Sequence, residues 1–132
     1  MSIARLLDAG FVPVGSWSLD GSLLKCSLLR EAKTYNVLYA FADPEEVLYV
    51  GKTTIALRDR MYQYQRPGLS QRTNIRVNDL LRTFLAADKP ISILALPDPG
   101  NLEYHGFHLN LAAGIEDSVI GQVQPKWNKA AK

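Results

Sequence analysis

The sequence predicts an α/β domain of the α+β kind, a small and mostly antiparallel sheet flanked by helices. Three observations carry that expectation. Strand-like runs at 11–19 and 22–29 flank Asp20-Gly21, a strong two-residue hairpin signal. A second pair of runs rich in Val, Leu and Tyr, 35–42 and 47–52, flanks Asp43-Pro44-Glu45-Glu46, a proline-containing turn. After Gly51, and again after His108, the apolar period changes from the strand's two residues to the helix's 3.6.

The elements follow in order. Residues 2–9 read as a short helix, and the two hairpins supply four strands. If Ala42 pairs with Glu46, Tyr39 lies directly opposite Tyr49 and both phenols share one face; a one-residue slip would separate them. Past Gly51, Leu57, Met61 and Tyr64 form a helical stripe, with Thr53 or Thr54 available as cap. Arg60 projects near that stripe and Arg58 well outside it. A further helix is expected over 76–87, and a strand over 91–96 closed by Pro97 and Pro99. From His108 to Val123 the residues Leu109, Ala112, Ala113, Val119, Ile120 and Val123 make an apolar stripe with Glu116 in its middle. A carboxylate buried there costs several kcal/mol unless it is protonated, ion-paired or metal-bound. Pro125 ends this helix, and Trp127 anchors the turn that follows.

Length and composition bound the rest. A chain of 132 residues without repeats, low-complexity stretches or a linker is read as one domain with one core. No apolar run approaches the roughly 18 residues a bilayer span needs, and the first ten residues carry Arg5 and Asp8 in place of an apolar signal block, so a soluble cytoplasmic protein without membrane contact is expected. The single cysteine, Cys26, cannot form an internal disulfide and reads as a small core residue. His105, His108 and Cys26 are a weak zinc set. The net charge of +2 conceals an asymmetry: residues 52–82 carry seven basic side chains (Lys52, Arg58, Arg60, Arg66, Arg72, Arg76, Arg82) against Asp59 and Asp79. Arginine forks match phosphate oxygens, and the interleaved Tyr62 and Tyr64 can stack on bases, so this segment suggests a phosphate-rich partner.

Taken in order, the conspicuous polar residues are Tyr39, Tyr49, Arg60, Glu116 and Asn128, on a strand, a neighbouring strand, a helix, a later helix and a loop. This pattern resembles the GIY-YIG nuclease superfamily. Val37-Leu38-Tyr39 stands in place of the first motif and Tyr49-Val50-Gly51 of the second. Lys52-Thr53 continues it, Leu57-Arg58-Asp59-Arg60 resembles the arginine helix, and Glu116 with Pro125-Lys126-Trp127-Asn128 resembles the closing acid and asparagine. The resemblance covers 35–128, leaving 1–34 as an N-terminal extension with its own hairpin. It is greatest to the small phage endonuclease II proteins and the GIY-YIG restriction enzymes. In two respects the sequence departs from the family: Asn36 and Val37 stand near where a glycine belongs, and the interval from Gly51 to Arg60 is about one residue long, which keeps Arg58 in competition.

The resemblance implies a metal-dependent DNA endonuclease acting by phosphodiester hydrolysis. Glu116 would hold one Mg2+ or Mn2+ largely through water. Arg60 would clamp the scissile phosphate and Tyr39 would take the attacking water's proton, its phenolate favoured by Lys52 and Arg60. Tyr49 would orient phosphate or water, Tyr64 would be an accessory ligand, and Asn128 would fix the site by hydrogen bonds. Duplex contacts are expected from Arg58, Arg66, Arg72, Arg76 and Arg82. One chain carries one such set, so double-strand cleavage implies a homodimer, a higher oligomer or successive nicks. A non-cleaving nucleic-acid-binding module of the same fold and a structure-selective repair nuclease are the alternatives. The expected setting is the cytoplasm of a bacterial or phage-infected cell.

Overall fold

The computed structural model describes residues 3–129 and builds them around one five-stranded antiparallel sheet. The elements run α1 (Ala4–Asp8), β1 (Val12–Asp20), β2 (Leu23–Leu28), β3 (Val37–Ala42), β4 (Val47–Thr53), α2 (Leu57–Gln65), α3 (Arg72–Ala86), β5 (Ile91–Pro97), β6 (Glu103–Tyr104), β7 (Phe107–His108) and α4 (Leu111–Val123). The strand order is β2-β1-β5-β3-β4, and β6 and β7 form a separate ribbon. The N-terminal hairpin is therefore integral: β1 pairs with β5, which pairs with β3. Of the expected first helix, Ser2 lies outside the described residues. No helix among the described residues is long and apolar enough to cross a membrane.

The sheet is buried on both faces at its centre, because every residue of β3 is buried. Side-chain alternation divides the core accordingly. On one face Val37, Tyr39, Phe41, Leu48 and Tyr49 pack with Leu57, Met61 and Tyr64 of α2 and with Val77 and Leu81 of α3. On the other Leu38, Ala40, Ala42, Val47 and Val50 pack with Leu6 of α1 and with Ala112 and Val123 of α4.

Tyr39 faces Gly51, and the partner of Tyr49 is Phe41, so the expected pairing of Tyr39 with Tyr49 is off by two residues. Two single steps account for it. Asp43 Oδ1 accepts from the N–H groups of Glu45 and Glu46, and Asp43 N–H bonds Glu46 C=O, which tightens the loop to Pro44-Glu45. The ladder then slips once more between Phe41 and Ala42, where a bulge leaves Leu48 unmatched. An offset of two preserves the face, so Tyr39 and Tyr49 remain diagonal neighbours on one side of the sheet.

Neither Thr53 nor Thr54 caps α2. Ala56 stands at its N-cap, and Thr53 instead closes a turn with the backbone of Ile55. The first helical N–H groups are satisfied from the 31–34 loop, by Leu57 N–H to Thr34 C=O and Arg58 N–H to Ala32 C=O. The last helix starts three residues later than expected, because His108 belongs to β7 and Asn110 provides the cap, its side chain accepting from Ala113 N–H.

Candidate active site

Edge strand β4 separates two groups of the expected site residues. Tyr39, Tyr49, Tyr64 and Arg60 gather on the α2/α3 face, whereas Lys52 projects to the α4 face and meets Glu116. The edge between them is held by Asn128.

The phenol cluster owes its shape to Gly51. A Cβ there would lie 2.6 Å from Tyr39 Oη and 2.7 Å from its Cζ, so only glycine lets the Tyr39 ring cross β4. Tyr64 Oη lies 2.6 Å from Tyr39 Oη and 3.4 Å from Tyr49 Oη. Arg60 Nη2 donates to Tyr64 Oη at 2.7 Å, while its Nη1 donates to Gln63 Oε1 and Asn74 Oδ1 at 2.9 and 3.1 Å. Its guanidinium carbon also sits 4.2 Å over the Tyr64 ring. Three phenols thus converge on one guanidinium.

Burial governs their protonation. Tyr39 is 1% exposed and Tyr64 fully buried, against 8% for Tyr49. Burial pushes the Tyr39 phenol well above the usual tyrosine value of about 10, and the positive charge of Arg60 offsets only part of this. Tyr64 is raised too, first by burial and then by the two neighbouring phenols. Both are neutral phenols at neutral pH. The support expected from Lys52 does not reach them, because its ammonium is 3.6 Å from Glu116 Oε1 on the opposite face.

Glu116 is thereby explained: its side chain is 19% exposed, and the ion pair to Lys52 satisfies it. Among the described residues no three His, Cys, Asp or Glu side chains group as metal ligands. The zinc set is not assembled: His108 Nε2 instead pairs with Asp98 Oδ2 at 2.8 Å. Burial also pushes the Cys26 thiol up to about 12, which leaves it protonated. A single partly exposed carboxylate suits a hard cation that keeps most of its water, the coordination habit of Mg2+. On the same side a cleft of about 740 Å3 runs beside Asp117, Gly121, Gln124 and Asn128, and no phenol lines it.

Asn128 acts on backbone. Its Oδ1 accepts from Val50 N–H and its Nδ2 donates to Val50 C=O, both at 2.9 Å, and Trp127 N–H bonds Leu48 C=O. The C-terminal segment so pairs with β4 as a strand would and closes an otherwise open edge.

The basic residues divide similarly. Arg58 on α2, Arg66 just after it and Arg72 at the start of α3 are exposed, Arg58 within 3.9 Å of Asp59. Arg76 donates to Trp127 C=O at 2.8 Å, and its Nε is buried without a partner. Arg82 is engaged by Asn78 and Asp79. Asn74, which the sequence places with Tyr62 and Tyr64 among the residues interleaved with the basic segment, accepts from Arg60, and its Nδ2 donates to Gln71 Oε1. Sequence reasoning missed Gln63 and Gln71; Gln63 was within reach, standing three residues after Arg60 on the same helix face.

No family model and no curated protein matches the sequence. Among solved structures the chain is similar to a mutant of bacteriophage T4 EndoII, with a TM-score of 0.76 at 22% identity over 98% of this chain and 99% of that one. This chain has the fold of EndoII. The chain is also similar to the restriction endonuclease HPY188I in complex with product DNA, with a TM-score of 0.59 at 13% identity over 92% of this chain and 79% of that one. The agreement with EndoII takes in the N-terminal hairpin as well as the core, since it leaves almost nothing of either chain uncovered.

Proposed function

We propose that the protein is a metal-dependent DNA endonuclease of the GIY-YIG type, hydrolysing a phosphodiester bond at the β4 edge. The observation that carries this reading is the convergence of Tyr39, Tyr49 and Tyr64 on Arg60, beneath a glycine that admits the Tyr39 ring. Three phenolic oxygens gathered around a guanidinium are a costly way to fill a core, because each buried hydroxyl must be paired, and such clusters mark sites of chemistry. The EndoII-like fold and the exposed cations Arg58, Arg66 and Arg72 support DNA as the partner.

In hydrolysis the water oxygen bonds to phosphorus, the bond to the 3′ oxygen breaks, and the water's proton needs an acceptor. Tyr39 is that acceptor in this reading, and it must first lose its own proton. The chain of oxygens from Tyr39 through Tyr64 to Tyr49, the phenol that touches solvent, gives that proton a path out. Arg60 stabilises the phenolate that results and presents its fork to the phosphate. Glu116 would hold one Mg2+ or Mn2+, which would supply neutralisation of the charge that develops on the leaving group. Lys52 holds the Glu116 side chain in place in the absence of substrate. Asn128 fixes the strand that carries Tyr49, and double-strand cleavage takes two chains or two successive nicks.

Incubation of the purified protein with supercoiled plasmid tests this reading. Nicking or linearisation in Mg2+ and none in EDTA is the expected result. Binding without cleavage in any divalent ion would establish the non-cleaving module instead.

A further inference from the structure

One end of the sheet holds Lys52, the start of β3 and the end of β5, and the β6–β7 ribbon projects there. The ribbon is tied down at its base. His108 Nε2 is bonded to Asp98, Leu109 N–H to Leu102 C=O, and Asn110 Nδ2 to Asn36 Oδ1, while Asp98 N–H bonds Asn36 C=O. Its tip is a two-residue turn with both φ angles positive, 50° at His105 and 84° at Gly106, the hairpin geometry that matches strand twist. A rigid ribbon therefore presents its cross-strand pair, Tyr104 and Phe107, at 70% and 77% exposure. Two rings so bare are not part of any core described above. They call for an occupant.

Their place beside the candidate site identifies it. The 31–34 loop that supplies Thr34 and Ala32 to the start of α2 carries the exposed Lys33 between them, and Arg58 extends from the same helical turn. Lys52 stands beside Glu116 at the same sheet end, and α4, which carries Glu116, begins three residues after the ribbon. Glu103 and Glu31 are the acidic residues of the ribbon and of that loop, and the Glu31 side chain is turned inward to accept from Thr34. Arg58 lies within 3.9 Å of Asp59 and Lys52 meets Glu116, so Lys33 is the cation of this group without an acidic partner among the described residues. Two bare rings on a rigid ribbon, next to the carboxylate assigned to the reaction, fit the groove of the duplex that is brought there for cleavage. A two-stranded ribbon is one of the elements the major groove admits, and apolar rings there contact thymine methyl groups and sugars.

We propose that the β6–β7 ribbon is a finger that enters a groove of duplex DNA beside the cleaved phosphate, with Tyr104 and Phe107 buried in the complex. This rests on the endonuclease reading, and its test separates the two. Both native tryptophans, Trp17 and Trp127, are 3% and 6% exposed, so the variant Phe107→Trp carries one solvent-exposed indole at the ribbon. Leu7→Trp serves as control: Leu7 is 43% exposed on α1, and α1 bonds Glu45 through Ile3 N–H at the opposite end of the sheet. A labelled duplex is titrated in EDTA and binding followed by anisotropy, while acrylamide quenching reports each indole. Quenching should fall several-fold for Phe107→Trp once the duplex is bound and stay unchanged for Leu7→Trp. Phe107→Ala should weaken binding roughly tenfold to a hundredfold, the range of aromatic contacts to bases. Bound duplex with unchanged quenching at position 107 overturns the finger while leaving the nuclease reading intact. Absence of any duplex binding by the wild type overturns both. Quenching that falls with protein concentration alone, accompanied by dimer in sedimentation, makes the ribbon a contact between copies and overturns it too.

Discussion

Gly51→Ala isolates the packing on which the phenol cluster depends. The added carbon would stand 2.6 Å from Tyr39 Oη, 2.7 Å from Cζ and 3.1 Å from Cε1. Non-bonded carbons rest at about 3.5 to 4.0 Å, so the ring must withdraw by roughly 0.8 Å. It has little room, being enclosed by Phe41 and Tyr64 with ring centroids 5.6 and 6.2 Å away. Overpacking of this kind costs about 1 to 3 kcal/mol. In a chain of this size that lowers Tm by roughly 4 to 12 °C. Withdrawal also breaks the 2.6 Å contact between Tyr39 and Tyr64, so cleavage should fall much further than the residual stability explains. Circular dichroism melts of Gly51→Ala, Tyr39→Leu and the double variant form the assay. Leucine lacks both Cζ and the hydroxyl, so Gly51→Ala should cost almost nothing in the Tyr39→Leu background. An equal cost in both backgrounds would refute the argument that Tyr39 is what the glycine makes room for.

Three further outcomes follow from the same geometry. Tyr39 and Tyr64 have folded pKa values raised above the unfolded value of about 10, so the stability they contribute is complete below pH 10 and is lost as pH rises toward their folded values; alkaline denaturation should be steep in the wild type and shallower in Tyr64→Phe. Asn128→Asp keeps an acceptor for Val50 N–H but loses the donor to Val50 C=O, and calorimetry should register about 1 to 3 kcal/mol. Arg72→Gln should reduce the slope of log affinity against log salt by about one unit, whereas Arg76→Gln, which frees the Trp127 carbonyl, should lower Tm and leave the slope unchanged.

The strands and the helical stripes were legible because each rests on a local period. Leu57, Met61 and Tyr64 at helical spacing, and Asp20-Gly21 between alternating runs, need no tertiary information. That Arg60 points inward and Arg58 to solvent was legible for the same reason. Register was not, because a bulge at Leu48 and the tight Asp43 turn each shift the ladder by one residue and neither has an unambiguous sequence mark. The separation of Lys52 from the phenols followed from that parity: Lys52 alternates with Gly51, whose face Tyr39 covers. Glu116 stood out in the apolar stripe, but its partner lay on a strand 64 residues earlier, a distance across which sequence carries no pairing signal. The tying of Arg76 to the C-terminal segment was hidden for the same reason, and so its guanidinium looked as free for phosphate as that of Arg72.

The central claim is that chemistry at the β4 edge needs both faces of the sheet, the phenols on one and Glu116 on the other. Single-turnover cleavage of a labelled duplex in Mg2+ by Tyr49→Phe and by Glu116→Gln, with Asp117→Asn as control, measures this most directly. Tyr49→Phe should be slower by a factor of about 10² or more and Glu116→Gln should be inactive. Both should melt near the wild-type temperature and bind duplex at least as well, and Asp117→Asn should cleave normally. Cleavage by Glu116→Gln at the wild-type rate, or full activity in EDTA, would contradict the account.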